Sequence, residues 1–125
     1  MSLRIALMVV AVAFALAACE GGRRAAAYDV ATGGRPQRGA AIIRAVGCGS
    51  CHTVPGIREA DGVVAPPLNF FSRRSFIAGE LPNTPENLIR WLRDPPSVEP
   101  RTAMPSLGLS EQDARDIAAY LYTLT

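Results

Sequence analysis

The sequence predicts an all-α fold of three main helices whose long loops wrap around a bound group. Three segments show helical periodicity, and no segment alternates long enough to predict a strand with confidence. Residues 53–83 are rich in Gly and Pro and read as one continuous loop. Compact domains rarely contain loops of this length unless the loop encloses something. Side chains alone are therefore not expected to fill the centre of this domain.

The chain begins with a segment typical of an export signal. Arg4 precedes an uncharged apolar run over residues 5–18, which is shorter than the roughly 18–20 residues that a spanning helix needs. Residues 1–18 are therefore predicted to be a signal peptide. Cys19 follows Leu-Ala-Ala, a pattern that resembles a bacterial lipobox, so Cys19 is the predicted lipidation site. The alternative is ordinary cleavage, for example after Ala27, which would give a soluble periplasmic protein.

Residues 19–37 are rich in Gly, Ala and charge and show no sustained period. This composition predicts a lipidated amino terminus followed by a flexible tether, with the folded domain over residues 38–125. Acyl chains on the terminus would anchor the protein on the periplasmic side of a bacterial membrane. The net charge is only +2, whereas a nucleic-acid-binding protein would carry a basic stripe. Binding to nucleic acid is therefore not expected.

The first helix is predicted from about residue 38, and Gly47 supplies its stop. Its small and apolar residues recur at helical spacing: Gly39, Ile42 or Ile43, and Val46.

The second helix has an N-cap at Thr84, a proline in its first turn at Pro85, and an end at Asp94, before two further prolines. Its apolar face contains Leu88, Ile89, Trp91 and Leu92.

The third helix begins after Ser110, with Asp113 as a weak capping-box partner, and continues to the end of the chain. Its apolar face contains Ala114, Ile117, Ala118 and Leu121.

Cys48, Cys51 and His52 form the motif CGSCH directly after the first helix. This is the attachment signature of c-type haem, in which two thiols bind the vinyl groups and the adjacent imidazole binds iron. Zinc sites and dithiol redox sites share a bare CxxC. However, His52 is the only His, the remaining thiol is Cys19, and the βαβ unit expected beside a redox dithiol is absent. The predicted cofactor is therefore one covalently attached haem c.

Met104 is the predicted second axial ligand of the iron. The other two methionines lie in the predicted signal peptide, so Met104 is the only thioether of the mature chain. The usual role of a lone Met is packing in the core. The loop that carries Met104 is flanked by Pro100 and Pro105, and a flexible apolar side chain gains little from helical packing there. With His52 and Met104 both bound, the iron would have no open position. Such a site transfers electrons and does little bond chemistry.

Taken together, these features resemble the class I cytochromes c over residues 39–125. The features that carry the resemblance are CGSCH, Pro66 and Leu68 downstream of it, the helix ENLIRWL, the loop DPPSVEPRTAMP, and an amphipathic last helix with Tyr120. The resemblance implies a cytochrome c-like fold and an electron carrier rather than an enzyme.

The resemblance also implies roles for individual residues. The carbonyl of Pro66, or of Pro67 as a substitute, would accept the proximal imidazole proton. Trp91 would pack against the haem near the Met sulfur. Thr102 and Arg74 would contact haem propionates.

Two positions depart from the mitochondrial pattern. The first helix is one residue longer before the cysteines, and Asn83 replaces a propionate-binding tryptophan.

Residues 79–110 look most like the cytochrome c domain fused to subunit II of certain bacterial haem-copper oxidases, and like related lipoprotein cytochromes. The resemblance implies electron transfer from a quinol-oxidising complex or a periplasmic dehydrogenase to a haem-copper oxidase. The alternatives are an electron-transfer subunit tightly bound in an oxidase or dehydrogenase complex, or a haem-based gas sensor or peroxidase in which Met104 dissociates from the iron.

Charged residues near the predicted haem edge offer a surface for a redox partner. The arginines that would face an acidic partner are Arg73, Arg74, Arg93 and Arg101. Glu111, Asp113 and Asp116 occupy the start of the last helix, where they suit its amino-terminal dipole.

Overall fold

The computed structural model of the chain describes residues 31–125, so the predicted signal peptide, Cys19 and the tether before residue 31 lie outside the described residues. The α-helices are α1 (Pro36–Val46), α2 (Pro85–Arg93), α3 (Pro95–Val98) and α4 (Glu111–Tyr122). Short 3-10 helices cover Cys48–Ser50 and Phe71–Arg73, and two-residue strands cover β1 (Phe76–Ile77) and β2 (Leu81–Pro82). The predicted all-α fold is confirmed.

The helix boundaries follow the predicted caps. Gly47 ends α1 in the left-handed region, with φ of 80°, and its N–H donates to the Ile43 carbonyl. The Thr84 hydroxyl accepts a hydrogen bond from the Asn87 N–H at 3.3 Å at the start of α2. Ser110 and Asp113 form a complete capping box at the start of α4.

Helix α1 crosses α4 at very close range, and this contact is the most extensive between helices in the described part of the chain. A Cβ atom at Gly39 would overlap the carbonyl oxygen of Asp116, and one at Gly34 would overlap that of Arg115. Glycine is needed at both positions because only a residue without a side chain allows the backbones to approach so closely.

The segment before α1 packs against the domain, which differs from the flexible tether expected up to residue 37. Thr32 is fully buried, and its carbonyl accepts a hydrogen bond from Arg115 at 2.9 Å. The Arg35 N–H donates to the Asp116 carboxylate at 2.8 Å. The segment packs here because the buried carboxylate of Asp116 needs hydrogen-bond donors. A polar contact of this kind produces no apolar periodicity, so sequence analysis did not detect it.

The loop over residues 53–83 contains more structure than its composition predicts. Strands β1 and β2 pair antiparallel, with Ile77 opposite Leu81, and Ile77 is buried. Helix α3 was also not predicted. It begins at Pro95, because a residue with a fixed φ and no N–H starts a new helix as readily as it ends the previous one.

The core lies between α1, α2 and α4 and extends into the long loop. Its largest members include Ile43, Leu88, Trp91, Ile117 and Phe71. Within residues 31–125, no helix is both long enough and apolar enough to cross a bilayer.

Candidate haem site

The CGSCH motif forms a tight turn directly after α1. The N–H groups of Cys51 and His52 both donate to the Cys48 carbonyl, at 3.2 and 3.0 Å. Cys48 is half-buried and Cys51 is exposed, and neither forms a disulfide. One turn therefore presents two free thiols followed by an imidazole.

Residues 60–62 support this turn from behind. A Cβ at Gly49 would lie 2.5 Å from the Ala60 Cα, and one at Gly62 would lie 2.6 Å from the Cys51 carbonyl carbon. The Gly62 N–H donates to the Gly49 carbonyl at 3.0 Å. Sequence analysis did not identify Gly49 as a constrained position, because the motif itself allows any residue there.

A short ladder of hydrogen bonds joins the His52 segment to residues 65–69, the proline loop. The Ala65 N–H donates to the Cys51 carbonyl at 2.9 Å, and the Leu68 N–H donates to the Thr53 carbonyl at 2.8 Å. Between these two bonds, Nδ1 of His52 lies 2.7 Å from the carbonyl oxygen of Pro66.

This contact determines the tautomer of the neutral His52 ring. A carbonyl oxygen only accepts, so Nδ1 of His52 carries the proton and Nε2 keeps its lone pair for a metal. The acceptor is Pro66 and not the alternative, Pro67. The contact has the form that the resemblance implies, and its role toward iron stays a prediction.

The electrostatic environment keeps Cys48 as a thiol in the polypeptide. Burial is the largest effect and raises the pKa of Cys48, a backbone N–H acts in the opposite direction, and nearby Cys51 raises the pKa further.

The Met104 loop is held on both sides. The Thr102 hydroxyl accepts a hydrogen bond from the Met104 N–H at 3.1 Å, and the Ser106 hydroxyl donates to the Asp94 carboxylate at 2.7 Å. Met104 is half-buried and packs against the core cluster, of which Trp91 is a buried member. The hydroxyl hydrogen of Thr102 remains available for the predicted propionate contact.

Arg74, the other predicted propionate contact, is engaged with the polypeptide. Its guanidinium donates to the carbonyls of Pro67 and Asn69 and lies over the Phe71 ring at 5.2 Å. Burial lowers the pKa of Arg74. The propionate contact stays a prediction, and the structure adds a second role for this side chain in closing the proline loop.

Asn83 and Tyr122 form a contact that sequence analysis missed. The Asn83 amide donates to the carbonyls of Phe71 and Arg74 at 3.1 and 3.0 Å. The Tyr122 hydroxyl donates to the Asn83 side-chain oxygen at 2.9 Å. The sequence marked Asn83 only as a departure from the mitochondrial pattern and gave no signal for Tyr122, which is far away along the chain.

The predicted docking arginines all have partners within the chain. Arg93 pairs with Glu111 at 3.7 Å, and Arg101 pairs with Glu99 at 3.3 Å. Arg73 lies 6.0 Å from the centre of the Phe70 ring.

The expectation that Asp116 adds to the acidic start of α4 is wrong, because its side chain is fully buried. Its carboxylate pairs with Arg38 at 3.0 Å.

The donor set fits haem c. The turn supplies two free thiols, His52 supplies one ring nitrogen, and an anchored loop supplies the Met104 thioether. A tetrahedral zinc site needs four ligands, but no group of three His, Cys, Asp or Glu side chains within residues 31–125 could hold a metal ion.

Comparison with known proteins gives the same family. The family model for cytochrome c matches residues 36–125. The chain is 38% identical over 88 residues to cytochrome c oxidase subunit 2 of Alkalihalophilus pseudofirmus, which covers 70% of this chain and 25% of that protein. It is 40% identical over 81 residues to the same subunit of a Bacillus species, covering 62% and 23%.

A third relative is cytochrome c oxidase subunit 2 of Bacillus subtilis, which is 32% identical over 88 residues, covering 69% of this chain and 25% of that protein. The chain thus spans about a quarter of the length of these curated relatives. No solved structure matches it significantly. The chain belongs to the cytochrome c family, as a class I c-type electron-transfer cytochrome related to oxidase subunit II.

Proposed function

We propose that this cytochrome carries a single haem, is anchored by a lipid on Cys19 to the periplasmic side of a bacterial membrane, and passes electrons to a haem-copper oxidase. The donor would be a quinol-oxidising complex or a periplasmic dehydrogenase. Cys48 and Cys51 carry free thiols on one turn, and His52 follows them directly. The observation that carries the proposal is the hydrogen bond from Nδ1 of His52 to the Pro66 carbonyl. It leaves one ring nitrogen ready to bind a metal.

Four side chains would hold the cofactor. Cys48 and Cys51 would hold it through thioether bonds, and His52 and Met104 would bind its iron. When bound, the haem iron supplies a one-electron couple.

The polypeptide holds and orients these ligands. The Pro66 carbonyl keeps the His52 proton on Nδ1 and fixes the orientation of the ring. The hydrogen bond from the Met104 N–H to Thr102 orders the backbone that carries the thioether. With His52 and Met104 both bound to the iron, the site would favour electron transfer over the binding of a gas or peroxide.

The direct test is to purify the full-length chain after expression with c-type haem maturation. A visible spectrum in both oxidation states should show a six-coordinate haem c. The oxidised form should also show the charge-transfer band of a thioether bound to ferric iron. The intact mass should include one covalent porphyrin. A colourless product, or a mass without that increment, would overturn the proposal.

The lipid anchor has its own test. Replacing Cys19 by Ser should abolish incorporation of labelled fatty acid and release the protein from membranes. If the protein still fractionates with membranes and still carries the label, Cys19 is not the anchor. A soluble product of the unchanged sequence would support the alternative of ordinary cleavage.

A second candidate function is that of a tightly bound subunit. The matching relatives are subunits of an oxidase by name, which supports a stable complex as an alternative to a free carrier. Extraction in mild detergent separates the two. Co-purification with oxidase or dehydrogenase subunits favours the bound subunit, whereas a monodisperse lipoprotein favours the carrier.

A further inference from the structure

Helix α4 is linked to the proline loop through a series of side-chain hydrogen bonds. The first link is between Tyr122, near the end of α4, and Asn83, just before α2. The Tyr122 hydroxyl donates to the Asn83 side-chain oxygen at 2.9 Å. The orientation of the amide is fixed by the carbonyls of Phe71 and Arg74, which only accept, so the amide nitrogen faces them and the oxygen faces the Tyr122 hydroxyl.

The second link is between Asn83 and the segment that carries Arg74. The Asn83 amide nitrogen donates to the carbonyls of Phe71 and Arg74, and the Asn83 N–H donates to the Ser75 carbonyl at 3.0 Å. The Tyr122 ring also packs edge-on against Phe71, with centroids 6.1 Å apart. Asn83 and Tyr122 therefore hold the backbone of residues 71–75 in place.

The third link is the Arg74 side chain. It reaches back along the chain and donates to the carbonyls of Pro67 and Asn69. Pro66 and Pro67 have no N–H to donate, so these bonds from Arg74 add to the backbone bonds that Ala65 and Leu68 form on either side of them. The Pro66 carbonyl accepts the hydrogen bond from His52, and it directly precedes the Pro67 carbonyl in the chain.

We propose that Asn83 and Tyr122 are positioning residues for His52, acting through Arg74 and the proline loop. They keep the Pro66 carbonyl in line with Nδ1 of His52 and so maintain the strength of that hydrogen bond. This inference rests on the proposed function, because it assigns the two residues a part in tuning an iron ligand. It also gives Asn83, which departs from the mitochondrial pattern, a function of its own.

The sign of the effect follows from the chemistry of the ligand. A strong hydrogen bond from Nδ1 makes imidazole a better electron donor, which stabilises the ferric state. Loosening the loop weakens the bond, so the reduction potential should rise. Replacing Tyr122 by Phe tests this effect, because it removes one hydroxyl, keeps the ring against Phe71 and changes no charge.

The chain contains a matched control. Tyr120 lies on the same helix, and its hydroxyl also donates to a backbone carbonyl, that of Pro55, at 2.6 Å. Replacing Tyr120 by Phe removes an equivalent hydrogen bond that is not connected to Arg74. Both variants should lose some stability, but only Tyr122→Phe should raise the potential.

The experiment measures the midpoint potential and the NMR signal of the His52 Nδ1 proton in the holoprotein, for the unchanged chain, Tyr122→Phe and Tyr120→Phe. We expect the potential to rise in Tyr122→Phe, with an upfield shift and faster exchange of the proton. We expect no change of either in Tyr120→Phe. An unchanged potential and proton in Tyr122→Phe, or equal changes in both variants, would overturn the inference.

A second variant tests the pathway itself. Asn83→Ala should raise the potential as well, and adding Tyr122→Phe to it should shift the potential no further, because both residues act through one series of contacts. Additive shifts would contradict this series. If the purified chain carries no haem at all, the proposed function fails, whereas an intact haem with unmoved potentials refutes only the positioning role.

Discussion

Single side chains determine the ligand environment of this site. Met104 is held by the hydrogen bond from its N–H to Thr102, and the ring of His52 is oriented by Pro66. Each proposed axial ligand thus has one close partner within the chain that limits its freedom. A ligand ordered in this way needs little rearrangement when the metal changes oxidation state, which suits electron transfer.

Met104→Ala should keep the haem covalently attached but lower its reduction potential, because a thioether stabilises the ferrous state. It should also open the iron to external ligands. The measurements are the midpoint potential and the rate at which the ferrous form binds carbon monoxide.

The control for Met104→Ala is Leu107→Ala, which truncates a 38% exposed apolar side chain in the same loop. It should leave the potential and the rate of carbon monoxide binding unchanged. If Met104→Ala retains the original spectrum, another residue is the ligand.

At the scale of elements, two features determine how the helices around the site are arranged. They are the crossing of α1 and α4 and the N-terminal cap of α4. Both depend on small local features, the missing side chain at Gly39 and the hydroxyl of Ser110. Each can be tested by a substitution that changes very few atoms.

Gly39→Ala should destabilise the domain although it improves helix propensity by up to about 1 kcal/mol. The added Cβ overlaps the Asp116 carbonyl, and overpacking of this kind typically costs about 1–3 kcal/mol. Urea denaturation of the holoprotein measures the difference. Gln37→Ala, an exposed substitution on the same helix, should have little effect, and a stabilised Gly39→Ala would show that the helices do not cross as described.

The capping box predicts a dependence of stability on pH. The hydrogen bond from the Ser110 hydroxyl is the main factor that holds the pKa of Asp113 below its usual value. Burial acts in the opposite direction, whereas the Ser110 N–H and the charge of Arg38 lower this pKa further. Since the pKa is lower in the folded state, this stabilisation is present above about pH 4, the unfolded value, and is lost as the pH falls through the folded pKa.

Ser110→Ala should therefore destabilise the protein at neutral pH by about 1 kcal/mol and should flatten the loss of stability below pH 4. Thermal melts over a series of pH values measure both effects. The exposed Ser75, replaced by Ala, serves as the control. An identical acid profile in Ser110→Ala and the unchanged chain would contradict the assignment.

The elements show which parts of the fold a sequence can predict. Helices α2 and α4 were predicted because Thr84 and Ser110 cap their own helices through hydrogen bonds only three residues away. The CGSCH turn was predicted because its chemistry requires neighbouring residues. The contact between Asn83 and Tyr122 joins residues 39 positions apart and follows no local pattern. It can therefore be seen only in the folded chain.

At the scale of the whole molecule, loops contribute much of what surrounds the core. Residues 53–83 supply buried side chains such as Val54, Phe71 and Ile77, and they also bind the CGSCH turn through the hydrogen-bond ladder. A domain of this size buries a limited apolar area, so a large bound group at its centre would make a major contribution to stability.

Replacing both Cys48 and Cys51 by Ala should therefore leave the domain largely unfolded, since the chain loses the group that its loops surround. Circular dichroism during heating measures the outcome. Ser50→Ala, within the same turn but without a proposed bond to the cofactor, should keep the haem and a cooperative melt. A cooperative melt of the double variant without haem would contradict the prediction.

The close approach of Gly39 to Asp116 has a consequence for the order of events during biosynthesis. The CGSCH turn directly follows α1, and the main helix contact of α1 is with α4, the last helix of the chain. The packing behind the turn is therefore completed only when residues 111–122 fold onto α1. We expect a cofactor to be attached to the turn more easily before this packing is complete than after it.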